Sequence, residues 1–253
     1  MKWHLALGLA ILQAGTDAAQ ATPPDIIDLR DEIFGFSEQS IFLLRSTWDN
    51  LGIYSSEQRE VFLVVVDRQS GAESLAPVYQ VRRDEDQARE APGPGTTWWM
   101  TRAVVRSDAV NPWQVLAEAQ GVPYGAGGQG DSGPAPVEGS LAPGGEIHIS
   151  LDTGWSWRGE GAVLVAGIGA RLDGIAAALG EPQRIAPVTV RDLLAGQVFT
   201  DQDCDIAGGQ VLDRAAGGPP SALVRIDCVE EEGGQLASLL IVLPEAWRVA
   251  TSP

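Results

Sequence analysis

The densest group of chemistry-bearing residues is Glu146, His148, Ser150 and Asp152, in the stretch EIHISLD. Ile147, Ile149 and Leu151 alternate with them, so the pattern predicts a strand carrying all four polar side chains on one face. Serine, histidine and carboxylate are the types that nucleophilic hydrolysis uses. Neighbours at i and i+2 on a strand lie roughly 7 Å apart, however, beyond the reach of a general base. A serine from elsewhere would have to meet His148, and the chain has no G-x-S-x-G elbow. A solvated polar face is the simpler expectation.

Asp201, Asp203 and Asp205 have the D-x-D-x-D opening of a calcium loop. An EF-hand would continue with Gly at the sixth position and Glu at the twelfth, where this chain has Ile206 and Leu212. Cys204 lies inside the same run, and Cys228 is the only other cysteine. An even count in an exported chain predicts one structural disulfide. That bond would draw Asp203 and Asp205 towards Asp227 and Glu230, a set that either holds a hard cation or is simply solvated; the second is favoured. Two cysteines and His148 fall short of the four ligands of a structural zinc site.

No cofactor is expected. Gly125–Gly130 fits G-x-G-x-x-G in letters, but Pro-rich loop flanks it where a strand and a helix are required. Val163–Gly169 (VLVAGIG) has a predicted strand before it and a predicted helix after it, with Leu172 in the third glycine position. An ordinary β-to-α turn is the expectation there. Trp155 and Trp157, at i and i+2 in DTGWSWRGEG, would share a face in extended chain and are the candidate binding residues, as platforms for a glycan or a protein surface. Their competing role, which is favoured, is to close the edge of the core.

These residues need a scaffold, and the sequence predicts an α+β, β-rich chain of antiparallel strands and hairpins with a few short helices. Strands are expected at 40–47, 60–67, 76–83 and 97–106, with a turn at Arg68–Gly71. One helix is well marked: Asn111 as N-cap, Pro112 in the first position, Gln114 for a capping box and Gly121 as the stop. Trp113, Leu116 and Ala117 would be its packing face. After the strand at 146–152, a strand at 163–166 leads to a helix at 173–179, and Thr189 with Asp192 caps a further turn. The end of the chain reads as a meander, 209–214, 222–229 and 236–243, with Ala222, Val224, Ile226 and Cys228 on one face. Residues 121–145 are so rich in Gly and Pro that a loop or linker is expected, dividing 22–120 from 146–253, although one domain over 22–253 is also open.

Residues 1–21 read as a signal peptide: cationic Lys2, an apolar run Leu5–Ala14, and Ala19-Gln20-Ala21 before the cut. The apolar run is about ten residues, short of the roughly twenty that span a bilayer. Cleavage removes one base, Lys2, and one acid, Asp17, so the net charge stays at −17. Charge of that sign disfavours nucleic acid and anionic membrane surfaces.

Gly35-Phe36-Ser37, the strand through Leu44, and Val61–Asp67 with Gly71 resemble a blade hairpin of the PD40/WD40-like β-propeller repeats, as in predicted secreted proteins. The resemblance covers residues 35–71 and implies a β hairpin there. It departs at Glu38-Gln39, where that family usually has Pro-Asp-Gly.

Together these features describe an acidic periplasmic or secreted protein and favour a non-enzymatic binding or interaction module with a protein or glycan partner. The alternative is a periplasmic hydrolase working through carboxylates or His148. The order of n-, h- and c-regions makes a direct prediction. N-terminal sequencing of protein from its native host should begin at Thr22, and an intact Met1 on the folded protein would refute export.

Overall fold

The computed structural model describes residues 27–49, 56–85, 93, 98–104, 106–125, 131–150, 154–164, 166–168, 204–212, 220–229 and 235–250. Residues 1–26, residues 173–196, Asp201, Asp203, Asp152 and Glu230 lie outside them.

Fourteen strands are described: β1 Ile27–Phe36, β2 Ser40–Asp49, β3 Ser56–Asp67, β4 Glu73–Glu85, β5 Trp99–Val104, β6 Val122–Pro123, β7 Asp131–Ala135, β8 Val137–Gly139, β9 Glu146–Ser150, β10 Trp155–Glu160, β11 Cys204–Leu212, β12 Ser221–Val229, β13 Gln235–Val242 and β14 Arg248–Ala250. Ten form one sheet, in the order β5-β4-β3-β2-β1-β13-β12-β11-β7 with β6 added on β1; the other four form a second sheet, β14-β10-β9-β8. Every pairing is antiparallel except β1 with β13. The β-rich, antiparallel expectation is met. Among the described residues helix is minor: α1, Pro112–Glu118, residues 161–164 and 166–168, and a 3-10 turn Glu245–Trp247. Among the described residues no helix is long and apolar enough to cross a membrane.

Three apolar clusters explain the layering. One face of β11–β13 meets the small sheet, with Val224, Ile226, Cys228 and Leu239 against Ile147, Ile149 and Trp157. The other face of the same strands, through Leu223, Leu240 and Val242, packs on Ile41, Leu43, Val64 and Val66 of β2 and β3. Leu116 of α1 then covers the outer side of β2 and β3 at Phe42 and Leu63. Strand β3 shows this in its sequence. Its all-polar start, SEQRE, is buried only at Ser56 and Glu60, whereas FLV (Phe62, Leu63, Val64) is buried on both faces.

The layers can fold over one another because β1 parts from β13. Their parallel register holds only at Leu29↔Ala237 and Arg30↔Ser238. At the next residue the Asp31 carboxylate replaces a main-chain acceptor, taking the Leu240 N–H at 3.1 Å. Arg45, directly opposite on β2, grips the same carboxylate through Nε–Oδ1 at 2.7 Å and Nη2–Oδ2 at 2.8 Å. Its Nη1 donates to Glu73 at 3.2 Å. Both Asp31 and Arg45 are fully buried. Burial alone would lower the Arg45 pKa, but the hydrogen bond and charge of Asp31, with Glu73, outweigh it and raise it. At the far end of the layer, buried Arg68 donates to Ser221 Oγ and to the carbonyls of Ser37 and Leu212. It ties the β3–β4 turn to the start of β12.

Several expectations are corrected. Strand β1 was not anticipated, because its charged residues break the apolar alternation. Residues 121–145 carry β6, β7 and β8 in place of a structureless connection. β13 of the second half pairs with β1 of the first, and β7, from the segment between them, pairs with β11. Where a strand was expected from residue 163, residues 163, 164 and 166–168 are helical, with Leu164 and Ile168 in the core. In α1, Asn111 Oδ1 accepts the Trp113 N–H as expected, but Gln114 bonds Glu118 and closes no capping box. The helix stops in a Schellman arrangement with Gln120 at φ 53°, Gln120 N–H to Ala117 O and Gly121 N–H to Leu116 O. Gly121 is needed one residue later, where a Cβ would lie 2.4 Å from Leu116 Cδ1. Of the expected packing face only Leu116 is buried; Trp113 is exposed, its ring edge-on to Phe34.

The buried pair makes a stability prediction. Arg45→Met should lower unfolding free energy by about 3–5 kcal/mol, the cost of leaving buried charge unpaired. Asp31→Asn added to Arg45→Met removes the stranded charge and keeps an acceptor for Leu240. Urea melts should show the double variant more stable than Arg45→Met alone; the reverse order would mean that Asp31 is not what Arg45 compensates.

Candidate functional site

The outer face of the large sheet, beyond the reach of α1, is the best-organised exposed surface described. Register places it residue by residue. Trp48 lies opposite Arg59, Arg59 opposite Val81, and Val81 opposite Ala103. On one side of that row Val61 pairs with Tyr79; on the other Glu57 pairs with Arg83 and Arg83 with Thr101. The result is a patch centred on Val81, with Val61, Tyr79 and Ala103 around it and Arg59, Arg83 and Thr101 on its rim. Tyr79 is 51% exposed.

Glu57 fixes the rim. Its Oε2 accepts the Trp48 indole N–H at 3.0 Å, and its Oε1 accepts Arg83 Nη1 at 2.8 Å, with Arg59 Nε 3.9 Å away. The Arg83 guanidinium in turn lies over the Trp99 ring, 5.2 Å from its centroid. The carboxylate is recessed and the cations stand out: side-chain exposure is 14% for Glu57, 38% for Arg83 and 60% for Arg59. Asp28, opposite Trp48 on β1, is half-buried, and burial holds its carboxyl above its ordinary value of 3.8 although Arg30 and Arg59 pull it down.

The sequence-derived candidates fall elsewhere. His148 lies between Glu138 of β8 and Arg158 of β10, and Ser150 faces Ser156, so no hydroxyl stands opposite the imidazole in register. The alternation of β9 is as expected, with Ile147 and Ile149 buried. Trp157 is buried in the core, and Trp155 is half-buried with Arg248 over its ring at 5.2 Å. Extended chain does put both indoles on one face, and that face is the core face, so of the two expected roles burial supports closing the edge of the core. The small sheet closes tightly there, since a Cβ on Gly159 would lie 2.1 Å from the Trp247 ring.

Cys204 and Cys228 form the expected disulfide, directly opposite in β11 and β12, with both residues buried. The bond does set Asp205 opposite Asp227, but Asp227 accepts the Ser238 hydroxyl at 2.6 Å. Among the described residues no three His, Cys, Asp or Glu side chains are grouped to hold a metal. A cleft of about 450 Å³ lies between the turn at 139–142 and the start of β11, with Asp205 as the single ionisable side chain in its described lining.

No family model matches the chain, and no curated protein or solved structure matches it either.

Reading the sequence missed this patch because it ranked tryptophans by local context. The available signal was in β3 and β4. Glu57, Arg59 and Val61 alternate ahead of an all-apolar run, and Tyr79, Val81 and Arg83 repeat the spacing in the strand paired with it. Asp28 supplies a test. Its folded pKa is raised, so it binds protons more readily folded than unfolded and costs stability at neutral pH. Asp28→Asn should therefore be more stable than the parent at pH 7, by roughly 0.5 kcal/mol or less at so exposed a site. The advantage should fade as pH drops towards and below 3.8. Melting across pH 3–8 checks this, and a loss of stability at pH 7 would show that attraction to Arg30 and Arg59 outweighs burial.

Proposed function

We propose that this chain is an exported, non-enzymatic interaction module whose binding surface is the patch around Val81. The observation that carries the reading is the arrangement itself: an apolar centre of Val61, Tyr79, Val81 and Ala103, rimmed by Arg83, which Glu57 holds by a hydrogen bond, and by exposed Arg59. Tyr, Trp and Arg are the types that supply most binding energy at protein interfaces, and an apolar centre with a polar rim is their usual layout. Export is supported by the order of the N-terminal regions and by a disulfide that suits an oxidising compartment.

A photo-crosslinking residue placed at position 81 in the native host tests the proposal. It should give a discrete adduct in the exported fraction, lost when Tyr79→Ala and Arg59→Ala are added. The same probe at position 138, on the outer face of the small sheet, should give none. Equal labelling from both positions, or none from either, would overturn this reading.

A further inference from the structure

We infer that the free edge of β5 is a dimerisation seam: a second copy of the chain adds its own β5 antiparallel to this one, about a two-fold axis at Thr101. The inference goes beyond the binding role proposed above, since it concerns the edge of the large sheet and not its outer face.

A terminal strand presents backbone donors and acceptors that can template another strand, and sheets usually blunt it with short length, Pro, a bulge or charge. The other sheet ends described are blunted. β8 and β14 have three residues each, and β7 carries Gly133-Pro134 beside a register shift. β5 runs six residues, WMTRAV, with no Gly or Pro and no irregularity in its pairing with β4. Arg102 is its single charge. Met100, Thr101, Arg102 and Ala103 are all exposed. Neighbours along a strand point to opposite faces, so both faces of β5 are open there.

The sequence of β5 selects the occupant. A two-fold axis normal to the sheet keeps the outer face outer, so residues paired across it must share a face. Two such registers align five residues of β5 with their copies. One centres on Arg102 and sets it against its own copy, although Arg82 already lies opposite it on β4. Like charges directly opposite destabilise a strand pair. The other register centres on Thr101. It pairs Thr101 with Thr101, Met100 with Arg102, and Trp99 with Ala103, so a small side chain meets the indole that Arg83 already overlies. Ala103 then stands between Val81 of its own chain and Trp99 of the second copy, joining the two outer faces. β5 contains no acid, so this edge adds no carboxylate contact to the repulsion between chains of net charge −17.

Sedimentation velocity on the mature chain at physiological salt, where screening acts over about 8 Å, should show a concentration-dependent monomer–dimer equilibrium. Lower salt should shift it towards monomer, because the net charges then repel over a longer range. Thr101→Lys and Thr101→Glu, at an exposed position, should each weaken the dimer about fivefold by setting like charges at the axis. Mixing the two variants should restore it, since opposite charges then meet. Thr101→Cys should oxidise to a covalent dimer, because directly opposed Cα atoms lie about 4.5–5.5 Å apart. Ala103→Cys, on the same face, should not. A chain that stays monomeric at every concentration, a dimer untouched by Thr101→Lys, or equal crosslinking from positions 101 and 103 overturns the inference. A self-adduct from a probe at position 81 would survive Tyr79→Ala and Arg59→Ala, which lie off the edge, so this inference and the binding role fail separately.

Discussion

Strand β1 has to satisfy three neighbours with two edges. Along one edge it pairs with β2 throughout; along the other it pairs with β13 at Leu29 and Arg30, then with β6 at Gly35 and Phe36. Between those contacts the Asp31 side chain takes over from main chain, accepting the Leu240 N–H, while Arg225 donates to the Asp31 carbonyl. An aspartate buried there without a cation would cost several kcal/mol. Arg45 supplies the cation at hydrogen-bond distance. The pair thus permits the sheet to split, and the split is what lets β2 and β3 fold across β11–β13 and bury Leu223 and Leu240.

Most of the outer framework was legible. Alternation and turn chemistry give β2, β3, β4, β9 and the last meander, and the residues assigned to the core face of β12 are all buried. What escaped is the strand that organises the rest. IDLRDEIFGF has charges at four of its first six positions and no clean alternation, since Asp31 is buried as a charge and Arg30 points outward. Periodicity detects apolar burial; a buried ion pair is invisible to it, because its partner lies on another strand. The Gly/Pro-rich stretch misled in the opposite way. Composition measures the entropy cost of ordering a segment, whereas β7 and β8 are ordered at sheet edges, where Pro is tolerated and few side chains need burial.

For the candidate surface the division is similar. That Trp155 and Trp157 share a face follows from spacing alone, but which side faces the core depends on where the small sheet packs. Ile147 and Ile149 set that side, because β9 is hydrogen-bonded to β10 and Trp157 lies directly opposite Ile149. The patch at Val81 comes from three strands separated by loops, so no local window contains it. Only the register of β3 with β4 and β5 brings Arg59, Val81 and Ala103 into one row.

Two acid–arginine pairs of the same chemistry therefore serve opposite ends in one sheet. Asp31 and Arg45 are sealed on the inner face, where their geometry is enforced by packing and their loss would strand a charge. Glu57 and Arg83 lie on the outer face, where water competes and such a pair contributes about 0–1 kcal/mol. Fixing the long Arg and Glu side chains costs roughly 0.5–1.5 kcal/mol each in rotamer freedom, so the outer cluster is poorly accounted for as a source of stability. Its ordering has a different consequence. Trp48 and Trp99 hold Glu57 and Arg83 from either side, and entropy lost on folding is not lost again when a partner arrives. On the proposed reading, the stiffness of the β2–β5 layer, anchored inside by Arg45, is what keeps the guanidiniums aimed outward.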